Sequence, residues 1–203
     1  VDIGALLDSV ITLFREEAKS RGLKLRTWRP GRRIHVMGDP LLVRQSLINL
    51  IQNALRYTQK GGVLVAIRPR GAECLLEVWD TGVGIADGEK NKIFSPYFRP
   101  ELAWKIDSAG HGLGLAVVAR CAKLMNVTYG MQSVEDKGSR FWMRFQQHVG
   151  EVKAADPVPA SDAIVSVSRR ASLRGSCLVV DDDPLDTYAW ESPMSSWGMV
   201  VRC

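Results

Sequence analysis

The chain has no apolar run approaching the ~18 residues that cross a bilayer, and its opening residues are not expected to act as a signal peptide. It has only three histidines and four cysteines. Cys74, Cys121, Cys177 and Cys203 show neither C-x-x-C pairing nor the spacing of metal ligands, so reduced, cytosolic thiols are expected. Neither sign of charge dominates: a formal net charge of +5 reads as a solvated basic surface rather than a nucleic-acid patch. No internal repeat is present. What remains is 203 residues, 46% hydrophobic and 24% charged, enough for one ordinary domain with a real core plus a remainder. The expectation is a soluble, cytoplasmic piece, whose longer parent is free to be membrane-anchored.

The most telling stretch is Asp80-Thr81-Gly82-Val83-Gly84-Ile85, which follows the alternating run Leu76 to Trp79. A strand that ends on a carboxylate and turns through two glycines places that carboxylate at a cleft edge, with bare backbone beside it. Taken alone, D-x-G-x-G reads equally well as an ordinary turn. Its company matters more. Upstream, Asp39 and Pro40 are a cap and a first position for a helix running to about Thr58. At 100° per residue Leu47, Ile51, Ala54 and Leu55 share its core face, while Asn49, Asn53 and Arg56 fall within about 60° on the other side. That polar stripe suits plain solvent; it also suits a metal ion, which needs oxygen ligands, and a polyphosphate, which needs donors.

The other elements follow from periodicity and turn residues. Asp2 to about Gly22 predicts a helix with Leu6, Leu7, Val10, Ile11, Phe14 and Ala18 at helical spacing. Leu23 to Trp28 and Ile34 to Met37 predict strands, and Val63 to Trp79 predicts a hairpin turning at Gly71. Ala86 to Ala109 is long and irregular, the pattern of a mobile functional lid or of disorder, and it holds Phe94 and Phe98. A second glycine cluster, Gly110-His111-Gly112-Leu113-Gly114-Leu115, leads directly into a helix from Gly114 to Met125. Val127 to Ser133 and Arg140 to Gln147 predict two closing strands around a turn at Gly138. Residues 151–175 have linker composition.

The asparagine helix, D-x-G-x-G, the aromatic run Ile93 to Arg99, G-x-G-L-G-L and the last glycine turn together resemble the ATP-binding catalytic domain of sensor histidine kinases, within the GHKL (Bergerat-fold) ATPases. The resemblance spans residues 1–150. It implies an α+β fold, a two-layer α/β sandwich with a mixed, mostly antiparallel sheet and helices on one face. It also implies ATP and Mg²⁺ as cofactors. Asp80 would accept from the adenine amino group, with Gly82, Gly84 and Ile85 beside the nucleotide. Asn53 would be the magnesium ligand, Asn49 would support that face, Arg56 would meet the phosphates and Tyr57 would lie along the nucleotide. Gly110, His111, Gly112, Leu113, Gly114 and Leu115 would form the second glycine box, where helix N-terminal amides meet phosphates. Phe94 and Phe98 would anchor the lid. The implied chemistry is γ-phosphoryl transfer to a histidine on a separate dimerisation domain, hence a homodimeric parent. His35, His111 and His148 do not fit the acceptor role.

The tail carries a second resemblance. Leu178-Val179-Val180-Asp181-Asp182-Asp183-Pro184 is similar to the first strand and acidic pair of a receiver domain, in which Asp181 and Asp182 would belong to a magnesium site. Residues 176–203 would then be a truncated β-α-β piece, the start of a receiver domain in a hybrid kinase. Its phosphoacceptor aspartate would lie beyond Cys203. Partners would be the histidine-bearing dimerisation domain and a receiver domain or response regulator, with no nucleic acid. Two other readings stay open. GHKL hydrolases carry a glutamate base where this chain has Asn49, an amide that cannot serve as one. A non-catalytic ATP-sensing module would keep the same nucleotide motifs.

Overall fold

The computed structural model describes residues 1–101, 111–148, 175–178 and 199–202. The chain divides into two compact units, Val1–Glu151 and Val152–Cys203.

In the first unit α1 (Ile3–Ser20) starts where the Asp2 carboxylate accepts from the Gly4 and Ala5 amides, at 3.0 and 3.1 Å. It stops at Gly22, whose φ of +66° lets the chain reverse into β1 (Lys24–Trp28). The next helix, α2 (Pro40–Tyr57), is built the same way: Asp39 Oδ1 accepts from the Leu41 and Leu42 amides, and Pro40 occupies the first turn. Its buried stripe is Val43, Ser46, Leu47, Leu50, Ile51, Ala54 and Leu55, which leaves the asparagines on the other side. The Arg21 guanidinium, just past α1, donates to the carbonyls of Arg56 and Thr58 at the end of α2, at 3.4 and 3.5 Å.

Five strands form the sheet, in the order β1, β2 (Gly62–Arg70), β3 (Glu73–Asp80), β5 (Gly138–Gln146) and β4 (Thr128–Val134). β1 and β2 are parallel, with α2 in the crossover, and the other pairings are antiparallel. Alternation sends Val63, Val65, Ile67, Cys74, Leu76, Val78, Phe141, Met143 and Phe145 into one core with α1, α2 and α3 (Gly114–Leu124). This is the expected α+β arrangement with helices on one face. Ile34 to Met37 departs from expectation: only isolated bridges form, Asp2 with His35 and Val36 with Gln147, so this stretch is a tether rather than a strand.

The opposite face of the sheet buries a charge. Glu77 is fully buried, accepts from Trp79 Nε1 at 3.0 Å, and pairs with Arg140 and, at 3.4 Å, with Arg68. The Arg140 guanidinium also lies 4.9 Å from the centroid of the Trp79 ring. A carboxylate is tolerated there because its oxygens are supplied with donors.

In the second unit β6 (Gly175–Leu178) and β7 (Met199–Arg202) pair in parallel, with Gly175 opposite Met199. The segment read as a linker falls, up to residue 174, outside the described residues, as do Asp181 and Asp182. Among the described residues no helix is long and apolar enough to cross a membrane.

Candidate functional site

The walls of a cavity of about 320 Å³ come from five pieces of the first unit. Asn49, Gln52, Asn53, Arg56 and Tyr57 come from α2, and Asp80, Val83, Gly84 and Ile85 from the end of β3 and its loop. Ile93, Phe98 and Arg99 come from the following segment, His111 to Leu115 from the glycine cluster and the start of α3, and Glu135, Ser139 and Phe141 from the β4–β5 hairpin. The size suits a small organic ligand.

Asp80 stands at one end. Its Oδ1 accepts from the Gly82 amide at 2.9 Å and the Ser139 amide at 3.2 Å. Oδ2 accepts nothing among the described residues, so one oxygen is fixed and the other is free for a donor. Burial pushes the carboxyl up to about 6, and the two amide donors hold it below where burial alone would take it. The glycines beside it serve packing first. A Cβ on Gly82 would lie 2.4 Å from the Tyr57 carbonyl oxygen, and one on Gly84, at φ +68°, would lie 2.1 Å from that of Val134. The loop is thereby pressed onto α2 on one side and onto the hairpin on the other.

At the other end, the N-cap residue of α3, Leu113, makes no side-chain bond to the first amides. Those amides are the positive end of the helix. Gly114 abuts the asparagine stripe, and a Cβ there would be 3.4 Å from Asn53 Nδ2 and 3.8 Å from Asn49 Oδ1. α2 and α3 run antiparallel, since Met125, past the end of α3, reaches Gly38 just before α2. Asn49 Nδ2 is buried with no hydrogen-bond partner among the described residues. An unsatisfied amide at a helix start suits an oxygen-rich anion. No group of three or more His, Cys, Asp or Glu that could hold a metal ion occurs among the described residues, so a cation here would take amide oxygen together with oxygens of its own ligand.

The structure gathers Asn49, Asn53, Arg56, Tyr57, Asp80, Gly84, Ile85, His111, Gly112, Leu113, Gly114 and Leu115 around the cavity. Gly82 lies behind the wall, under Asp80. Phe98 lines the cavity, whereas Phe94 is not part of its lining and meets Tyr129 and the lining residue Phe141 edge-on, with ring centroids 4.9 and 6.3 Å apart. Gly110 lies outside the described residues. Sequence reasoning did not single out Ser139, Glu135 or Gln52. Gln52 follows from the same helical wheel as Asn49 and Asn53; Ser139 needs the register that sets it opposite Asp80.

Residues 38–149 match the family model described as histidine kinase-, DNA gyrase B-, and HSP90-like ATPase. The chain belongs to this ATPase family. Among curated members, the sensor protein TorS of Escherichia coli (strain K12) is 33% identical over 182 residues, covering 89% of this chain and 18% of TorS. The ATPase-family fold recurs in the catalytic domain of histidine kinase ThkA, with a TM-score of 0.63, 24% identity, and coverage of 72% of this chain and 93% of that one. Full-length ShkA in complex with AMPPNP gives a TM-score of 0.64 at 24% identity, covering 99% of this chain and 39% of that one. The chain thus spans less than a fifth of TorS.

Proposed function

We propose that the first unit is the catalytic ATP-binding domain of a hybrid sensor histidine kinase, taking Mg-ATP and passing its γ-phosphoryl group to a histidine on a separate dimerisation domain. The observation that carries this reading is the pairing of two unlike ends in one cavity. Asp80 offers one fixed and one free carboxylate oxygen, and opposite it the uncapped start of α3 meets the Asn49 and Asn53 amides. An adenine amino group fits the first end and a polyphosphate fits the second. TorS and BarA, both similar in sequence, are named as sensor or histidine-kinase proteins, and the AMPPNP complex of ShkA, similar in fold, supports the nucleotide.

In this reading Asp80 selects the base, Arg56 and the first amides of α3 hold the phosphates, and Asn53 would hold Mg²⁺, with Asn49 supporting the same face. The metal supplies charge neutralisation at the phosphate oxygens. As the bond from the histidine nitrogen to the γ-phosphorus forms, the β–γ bridging bond breaks and ADP leaves. Asn49 offers no base to activate water, which favours transfer over hydrolysis. The dimerisation domain, a receiver domain or response regulator, and a homodimeric parent follow as partners of the same reading; Asp181 and Asp182 would belong to a receiver magnesium site.

The test is incubation with Mg²⁺ and γ-labelled ATP, with and without a histidine-bearing dimerisation domain from a close relative. Acid-labile label on the added domain alone is the expected result. Steady release of phosphate with no labelled protein would instead indicate a hydrolase.

A further inference from the structure

Ser133, on β4, takes no part in lining the cavity, yet it holds together three of the pieces that do. Its hydroxyl is buried and accepts from the Ile85 amide at 2.9 Å. The same oxygen lies 3.0 Å from the Gly138 carbonyl, to which it donates, and 3.1 Å from Ser139 Oγ. With Ser139 as donor, one donor and two acceptor positions are all used, which is the full capacity of a hydroxyl. Its carbonyl accepts from Lys90 Nζ at 2.6 Å, tying in the segment that continues to Phe98 and Arg99. Ser139 in turn gives its amide to Asp80 Oδ1, and the Asp136 amide donates to the Val83 carbonyl at 2.8 Å.

We propose that Ser133 is a positioning residue for nucleotide recognition: through one buried hydroxyl it locks the loop after Asp80 onto the β4–β5 hairpin and so fixes the base end of the cavity. The alternative is that Ser133 merely fills space in the hairpin. The two differ in what its loss does. Losing a filler weakens the fold evenly, whereas losing a lock frees Ile85 and the Asp80 loop and leaves the phosphate end, 111–115 with α2, untouched. The inference rests on the nucleotide reading above, and its test separates the two.

The full chain is compared with Ser133→Ala, Ser133→Cys, which keeps the shape with a somewhat larger atom but offers a much poorer acceptor, and Ser133→Thr, which restores a hydroxyl. Calorimetric titrations with Mg-ATP and with inorganic tripolyphosphate are paired with amide exchange at Ile85 in the ligand-free protein. Ser133→Ala and Ser133→Cys should weaken ATP about tenfold, leave tripolyphosphate affinity unchanged and speed Ile85 exchange about tenfold, with Ser133→Thr close to the parent. Equal losses for ATP and tripolyphosphate, or unchanged Ile85 exchange, would overturn the proposal. If the parent binds no ATP, the nucleotide reading falls, and Ile85 exchange still decides whether Ser133 locks the loop. If Ser133→Ala does not fold, the Ser133→Cys and Ser133→Thr pair decides.

Discussion

Asp80 shows how a single carboxyl is set by opposing influences. Burial raises it to about 6, while the amides of Gly82 and Ser139 stabilise the charged form. Its folded value lies above the ordinary 3.8, so between about pH 4 and 6 the native state holds a proton that the unfolded chain has released. Stability from this group is therefore present below pH 4 and is lost as pH rises through 6. Denaturant titrations at pH 4.5 and 7.5 should show a smaller fall for Asp80→Asn than for the parent. On the proposed reading adenine binding would run the other way, because the free oxygen accepts best when ionised. ATP affinity should drop as pH falls below about 6, and Asp80→Asn should weaken it at neutral pH by about ten- to a hundredfold and remove that pH dependence. Calorimetry across this range checks both; an affinity unchanged by the substitution would remove Asp80 from the site.

Elements govern how the Asp80 loop is held. Gly84 is the position where two demands coincide, a φ of +68° and a backbone 2.1 Å from where its Cβ would stand. Gly84→Ala should cost about 2–3 kcal/mol in urea unfolding, combining left-handed strain with the displaced hairpin contact. A loss under 0.5 kcal/mol would mean that the loop shifts freely. α2 was legible in the sequence because its cap, its Pro40 and its apolar stripe all point the same way, and the polar stripe is what remains. The D-x-G-x-G loop was legible as a turn beside a carboxylate. The reason for its glycines was not: Gly82 meets the Tyr57 carbonyl at the end of α2 and Gly84 that of Val134 on β4, contacts between distant segments that only the folded chain brings together. Ser133 and Ser139 were hidden for the same cause, since strand register between distant segments leaves no periodic mark. Ile34 to Met37 misled because its apolar pattern reflects burial of Ile34 and Val36 beside the α1 start, without a ladder to join.

At the scale of the whole first unit, the sheet is asymmetric. One face carries the apolar core and the cavity, while the other is organised around the buried Glu77 with Arg68, Arg140 and Trp79. Trp79 and Arg140 sit opposite one another, one rung from the Asp80–Ser139 pair, so this cluster stiffens the strands that carry the site. Glu77→Ala strands a largely buried guanidinium and should lower stability by about 3 kcal/mol, the low end for a broken buried pair because Arg68 can turn to water. Chemical denaturation measures it, and a change below 1 kcal/mol would show the pair to be dispensable.

The start of α3, where Leu113 supplies no side-chain cap, has a consequence beyond the proposed nucleotide binding. The Leu113 side chain gives the first amides of α3 no acceptor, so an anion placed there would complete the helix start. The protein's tolerance of heat would then depend on the solution around it, since a small oxyanion occupying that end would favour the folded chain by mass action. Phosphate and sulfate buffers would act as weak structural additives, and a melting curve recorded in them would describe the buffer as much as the protein.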